Sequence, residues 1–139
     1  MTISFQRNMP VTSEMINLLR SHAWEEAGNQ DWEPVLARSL GWVCAFLDHE
    51  LIGFVNVAWD GGVHAFLLDT TVHRDYQRRG IGRALVQEAA VLAQERGATW
   101  LHVDYEPELD SFYRGCGFRP TPAGLLYLRH LPETIRVLR

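Results

Sequence analysis

The stretch Gln77-Arg78-Arg79-Gly80-Ile81-Gly82 stands where an extended apolar run gives way to an amphipathic helical pattern, and its residue types suit one kind of chemistry. Two glycines remove side chains where the backbone turns into the helix. Several amides can then aim at a single anion while the helix dipole favours negative charge at that end. Arg74, Arg78, Arg79 and Arg83 crowd the same turn. Positive side chains are disfavoured at a helix N-terminus unless an anion joins them. The reading is a loop for a phosphate or pyrophosphate; the alternative is a solvated, charged helix start.

Two familiar phosphate loops can be tested here. A Walker loop needs a lysine after its last glycine, and this chain contains no lysine anywhere, so that reading fails. A dinucleotide fingerprint needs a third glycine, which is missing, and an acid about 20 positions on, for which only Asp104 stands roughly in place. The remaining chemistry lies on either side of the loop. Asp69 interrupts a strand pattern of apolar residues and Thr, where a carboxylate is costly unless it reaches a cleft or a partner. It is a candidate ammonium ligand, or else a structural aspartate paired with an arginine or an amide. His64 and His73 are bases by residue type, although histidines near a strand end also serve as hydrogen-bonded surface residues. Cys44 and Cys116 form no Cys-x-x-Cys pair, which argues against a zinc site or a disulfide framework.

The elements that must position these groups follow from periodicity and turn signals. Ile3 to Gln6 reads as a strand, and Thr12 caps a helix on which Met15, Leu18, Leu19 and His22 share a face. A second helix begins at Asp31 and ends at Gly41, with Val35, Leu36 and Leu40 inward. Trp42 to Leu47, Leu51 to Trp59 and Val63 to Val72 form an antiparallel meander with turns at Asp48-His49-Glu50 and Asp60-Gly61-Gly62. Ile81, Leu85, Ala89 and Leu92 recur at helical spacing up to Arg96-Gly97. Trp100 to Tyr105 is a strand parallel to the one before the helix, Pro107 opens a short helix ending at Gly117, and Leu125 to Leu131 alternates as a final strand.

At 139 residues and 47% hydrophobic, the chain can bury one core, so residues 1–139 are expected to form a single domain. No apolar stretch approaches the roughly 20 residues that span a bilayer, and no charged-then-apolar leader pattern opens the chain, which leads to the expectation of a cytoplasmic protein without a membrane partner. The net charge of -4 disfavours a nucleic-acid partner, because the positive residues are confined to one turn.

The loop resembles the Gln/Arg-x-x-Gly-x-Gly/Ala signature of the GNAT family, the Gcn5-related N-acetyltransferases. It does not stand alone: Leu67-Leu68-Asp69-Thr70-Thr71-Val72-His73 upstream is similar to that family's central strand. Phe112-Tyr113-Arg114-Gly115-Cys116-Gly117-Phe118 downstream is similar to its Tyr-x-x-x-Gly-Phe element. The resemblance covers nearly the whole chain. It implies an α/β (α+β) GNAT fold: a mixed, mostly antiparallel sheet flanked by helices, with one splayed parallel strand pair admitting the cofactor.

The resemblance also implies roles. Thr70, Thr71 and Val72 would hydrogen-bond the pantetheine arm of acetyl-CoA, the acyl-donor cosubstrate. Gln77, Arg78, Arg79, Gly80, Ile81, Gly82 and Arg83 would hold its pyrophosphate. Tyr113 matches the family's general acid, donating to the departing thiolate; otherwise it is an aromatic with its ring in the core and its hydroxyl at the surface. Asp69 would bind the acceptor amine and take its proton directly or through water, with Asp104 and Glu106 as rivals. Glu106 is a departure, since many relatives carry an Asn near this position. The family varies its acceptor pocket between Trp24 and Trp32, which makes Trp24, Trp32, Asp104 and Glu106 candidate substrate contacts. The function implied is direct acetyl transfer to a primary amine, a small molecule being favoured. A protein N-terminus or lysine, or a non-catalytic acyl-CoA sensor, are the alternatives. No metal is required, and a homodimer is compatible with the pattern.

Overall fold

The computed structural model describes residues 2–136, which cluster into two compact units, one ending at Tyr105 and the other beginning at Glu106. The expected single domain over 1–139 takes in Met1 and 137–139, which lie outside the described residues. The first unit runs β1 (Ile3–Arg7), α1 (Ser13–Ser21), α2 (Glu33–Arg38), β2 (Gly41–Leu47), β3 (Glu50–Trp59), β4 (His64–Val72), a 3-10 turn (Arg74–Tyr76), α3 (Ile81–Glu95) and β5 (Trp100–His102). The five strands form one sheet in sequence order, antiparallel except for the β4–β5 pair, so the expected mixed sheet with a parallel pair is present. No helix among the described residues is long and apolar enough to cross a membrane.

Local chemistry accounts for the element ends. Thr12 caps α1, its hydroxyl accepting the Met15 amide at 3.1 Å. Asp31 Oδ1 accepts the Glu33 amide at 3.1 Å at the start of α2, which stops at Arg38 because Gly41 already belongs to β2. Asp60 Oδ1 takes the Gly62 amide at 2.7 Å in the turn before β4. On α1, Ile16 and Leu19 are the inward residues while Leu18 is 60% exposed, against the face expected for it. The short helix starts its inward stripe one residue off the Met15–Leu18 line.

Strands β2 and β3 are apolar on both faces because both are covered. Ile16, Leu19 and Trp32 pack with Cys44, Phe46, Leu51 and Phe54 on one side. Ile81 and Leu85 of α3 meet the other side at Gly53, whose neighbour in sequence, Phe54, faces α1. A Cβ at Gly53 would lie 2.9 Å from Leu85 Cδ1, 3.1 Å from the Ala45 Cβ and 3.3 Å from Ile81 Cγ2. Gly53 therefore lets the first turns of α3 approach the sheet. Replacing it by valine should overpack this contact and cost about 1–3 kcal/mol, read as a lowered urea midpoint at unchanged m-value.

Strand β5 is shorter than expected. Its pairing with β4 covers only His64↔Trp100, Ala65↔Leu101 and Phe66↔His102, while β4 runs on to Val72. From Leu67 onward β5 no longer pairs with β4, which is the opening that a splayed parallel pair is expected to leave. The second unit contains a 3-10 turn (Pro107–Leu109), α4 (Asp110–Gly115), a second 3-10 turn (Leu128–His130) and α5 (Glu133–Arg136). The strand expected over Leu125 to Leu131 is absent: this stretch has no ladder partner and holds the 3-10 turn instead. A strand there would need a neighbour, and the chain before it, with Pro120 and Pro122, lacks the amides to supply one. Leu125, Leu126, Tyr127 and Leu128 are left exposed.

Candidate active site

The glycine loop connects the end of β4 to α3. Gly80 occupies the N-cap position of α3 in the left-handed region at φ +81°, and no side chain caps the helix. No acid lies in the first turn, and nothing stands within 4 Å of a Cβ built at Gly80. The amides that open α3 thus have no side-chain cap, and no acid in the helix's own first turn complements its dipole. Arg78 is held at φ +63°, a strained conformation for a long side chain, and Gln77, Arg78, Arg79 and Arg83 are all exposed around the turn. Arg79 also covers the Tyr76 ring at 5.4 Å. Gln77 Nε2 donates to the Val72 carbonyl at 3.0 Å, latching the loop to the end of β4.

Arg74 departs from the anion cluster. Its amide and its Nε both donate to the His22 carbonyl, at 3.1 and 2.8 Å, and Nη2 donates to the Ser21 carbonyl at 3.1 Å. It satisfies the open carbonyls at the C-terminus of α1. His73 is buried, accepts the Asp75 amide at Nδ1 and stacks on His22 with centroids 4.6 Å apart. His64 Nδ1 lies 2.9 Å from His102 Nε2 across the parallel pair. Both histidines are thus engaged in hydrogen bonds.

Opposite the loop, β4 carries a bulge. Phe54 pairs with Thr71 and Asn56 with Leu68, so Asp69 and Thr70 face the single residue Val55. Asp69 takes φ +61°, which an aspartate tolerates better than most residues, and Thr71 Oγ1 donates to its carbonyl at 2.9 Å. Asp69 keeps an exposed surface, and partial desolvation raises its carboxyl above its ordinary value, opposed by the Arg20 charge and by the Asn56 side chain. Asn56 is 1% exposed, and Ser39 Oγ donates to its Oδ1 at 2.5 Å. Burial drives the Cys44 thiol the opposite way from a nucleophile, up to about 12.

Among the acceptor candidates, Trp24 is half exposed. Trp32 is 1% exposed inside the core, its Nε1 donating to Asn17 Oδ1 at 3.0 Å. Both rings lie under the Arg20 guanidinium, at 5.9 and 5.4 Å. Asp104 is exposed just past β5. In the second unit, Glu106 precedes the 3-10 turn and is exposed, whereas Tyr113 on α4 is buried with its ring edge-on to Phe112 and Phe118. Within the first unit, then, one end of β4 gathers Asp69, Thr70, Thr71, Val72 and the loop residues 77–83. Asn56, Ser39 and Arg20 were not singled out by the sequence reading. Asn56 was findable, being a lone polar residue in the apolar run of β3, by the argument that picked out Asp69.

Residues 9–118 match the sequence profile of the Acetyltransferase (GNAT) family. The chain belongs to that family. The curated relatives of this GNAT domain include the uncharacterized N-acetyltransferase ycf52 of Porphyra purpurea, 29% identical over 75 residues. That match spans 54% of this chain and 43% of the relative, less than half its length. Among solved structures, a GNAT family acetyltransferase of Streptococcus pneumoniae superposes with a TM-score of 0.75 at 25% identity, covering 91% of this chain and 97% of the other. The aminoglycoside N-acetyltransferase AAC(6')-Iy, solved with CoA, superposes at 0.72 with 20% identity, covering 91% and 93%.

Proposed function

We propose that this GNAT domain transfers the acetyl group of acetyl-CoA directly to a primary amine, with a small-molecule acceptor favoured. The observation that carries the reading is the uncapped start of α3 at Gly80, set beside a β4 edge that β5 leaves unpaired from Leu67 on. Open amides at a helix N-terminus suit a pyrophosphate, and free strand groups suit the amides of a pantetheine arm. Residues 77–83 and Thr70 to Val72 would therefore hold the cosubstrate, which supplies an activated acetyl thioester when bound. Three demands remain for the protein: a neutral amine, a donor for the carbonyl oxygen and a proton for the leaving thiolate.

Asp69 meets the first. A carboxylate with a raised pKa binds an ammonium ion and is a better proton acceptor than an ordinary aspartate. The bulge meets the second, because an extra residue in β4 turns a backbone amide out of the ladder near Thr70. Tyr113 is assigned the third on its position in the Tyr-x-x-x-Gly-Phe element. Aminoglycoside acetylation by AAC(6')-Iy, solved with a CoA-neamine bisubstrate analogue, supports an amine acceptor for this fold. The direct test is thiol release from acetyl-CoA against panels of amines, aminoglycosides, amino acids and peptides. Absence of release with every class, at normal CoA binding, would leave a binding module. Tyr113→Phe should lower kcat by about 10²-fold with little change in the CoA dissociation constant, because a proton donor acts mainly in the transition state. Near-normal turnover would assign the ring to packing against Phe112 and Phe118.

A further inference from the structure

Arg20 lies on α1 at the acceptor end of the proposed site, and the mechanism above gives it no role. Its guanidinium carbon lies over two indoles, 5.4 Å from the Trp32 ring and 5.9 Å from that of Trp24. One of those rings is fixed in the core and pinned through Asn17, and the Trp24 amide is held by the Arg20 carbonyl at 2.9 Å. The residue is half-buried, and among the described residues its side chain forms neither a hydrogen bond nor a salt bridge. It acts on the Asp69 carboxylate as a charge without closing onto it. A guanidinium held by aromatic rings through cation–π contact keeps its N–H donors for other partners, and their fork matches the two oxygens of a carboxylate or phosphate.

The pairing also resolves a conflict inside the site. Asp69 attracts an ammonium ion, but a fixed positive charge nearby repels a ligand whose only charge is that ammonium. A ligand that carries its own anion satisfies both groups, with the amine toward Asp69 and the anion toward Arg20. Once the amine is placed, the same guanidinium favours its neutral, nucleophilic form.

We propose that Arg20 is the anion-recognising residue of the acceptor site, and that the acceptor is an amine bearing a carboxylate or phosphate group. The proposal rests on the transferase reading and narrows its substrate class. Its test uses matched compounds: amino acids against their decarboxylated amines, and aminoalkyl phosphates against the corresponding amino alcohols, each with acetyl-CoA in the thiol-release assay. The native protein should prefer the anionic member by about 10- to 100-fold in kcat/KM, the range expected for charge-assisted hydrogen bonds. Which pair shows the larger ratio distinguishes carboxylate from phosphate.

Arg20→Gln should bring that ratio close to one, chiefly through the KM of the anionic member, while improving use of the simple amine. Arg20→Lys should restore part of the preference. Melting temperature and CoA affinity of both variants report whether the contact with Trp32 survives. Should Arg20→Gln fail to fold, the native ratio and the lysine variant still decide. Equal turnover of charged and uncharged members by the native protein overturns this inference alone. No thiol release from any compound, with CoA bound normally, overturns the transferase reading and this inference with it.

Discussion

Gly80→Asp should remove measurable CoA binding while lowering the melting temperature only modestly and leaving a cooperative fold. Position 80 is the N-cap of α3, in the left-handed region, with open space where a side chain would start. Aspartate tolerates the left-handed region better than most residues, so the backbone strain it adds is small enough to leave the fold intact, while its carboxylate puts a negative charge at the helix start. A pyrophosphate would then meet a negative charge, for an expected affinity loss of about 10²-fold or more. Isothermal titration with CoA and a thermal melt on the same sample read both halves. Undiminished affinity would show that the anion does not sit at this turn, and the arginines around it would revert to solvated surface charge.

Asp69→Asn should produce the opposite pairing of effects from an ordinary structural mutation: activity falls and stability does not. Desolvation raises the Asp69 pKa, so the folded state disfavours its ionised form. A group with a raised folded pKa burdens the fold above that pKa and not below the unfolded value, where both states are protonated. Asparagine removes that burden. The melting temperature of the variant should match or exceed the native one near neutral pH, with the difference shrinking as pH falls through the carboxylate range. Acceptor kcat/KM should meanwhile drop by about 10²- to 10⁴-fold, and the acidic limb of its pH profile should disappear. In the native protein that limb should lie above the range of an unperturbed aspartate. A lower melting temperature together with weaker binding of both substrates would identify Asp69 as a structural partner of Asn56 and Arg20 instead.

The parts of this molecule that were legible in its sequence are those set by local signals. The Thr12 cap, the Asp60-Gly61-Gly62 turn, the inward stripe of α3 and the Gly80 turn each depend on a few adjacent residues, and each stands where the pattern placed it. The final strand was misread because alternation over Leu125 to Leu131 says nothing about a partner, and a strand without a ladder neighbour does not persist. The surroundings of Asp69 were hidden for a related reason. Ser39, Asn56 and Arg20 come from three distant segments and meet it only through the register of β3 on β4 and the seat of α1 on the sheet. Arg74 illustrates the converse: its sequence neighbours suggest an anion, while the α1 carbonyls it serves lie 52 and 53 residues away.

The bulge in β4 acts as a frameshift in side-chain direction. Before it, Leu68 lies across from Asn56 and Leu67 across from Val57; after it, Thr71 lies across from Phe54 and Val72 across from Gly53. Even-numbered residues therefore share the α1 side of the sheet ahead of Asp69 and the α3 side beyond it, and odd-numbered residues do the reverse. Point substitutions at Asp69 or Thr70 leave this inversion in place. Loss of one residue would remove the bulge itself: the residue left would pair directly with Val55, Thr71 and Val72 would keep their places opposite Phe54 and Gly53, and the left-handed turn now held at Asp69 would be lost. The length of β4 is thus as much a part of the site as any side chain on it, and within this stretch substitution should be tolerated far better than deletion.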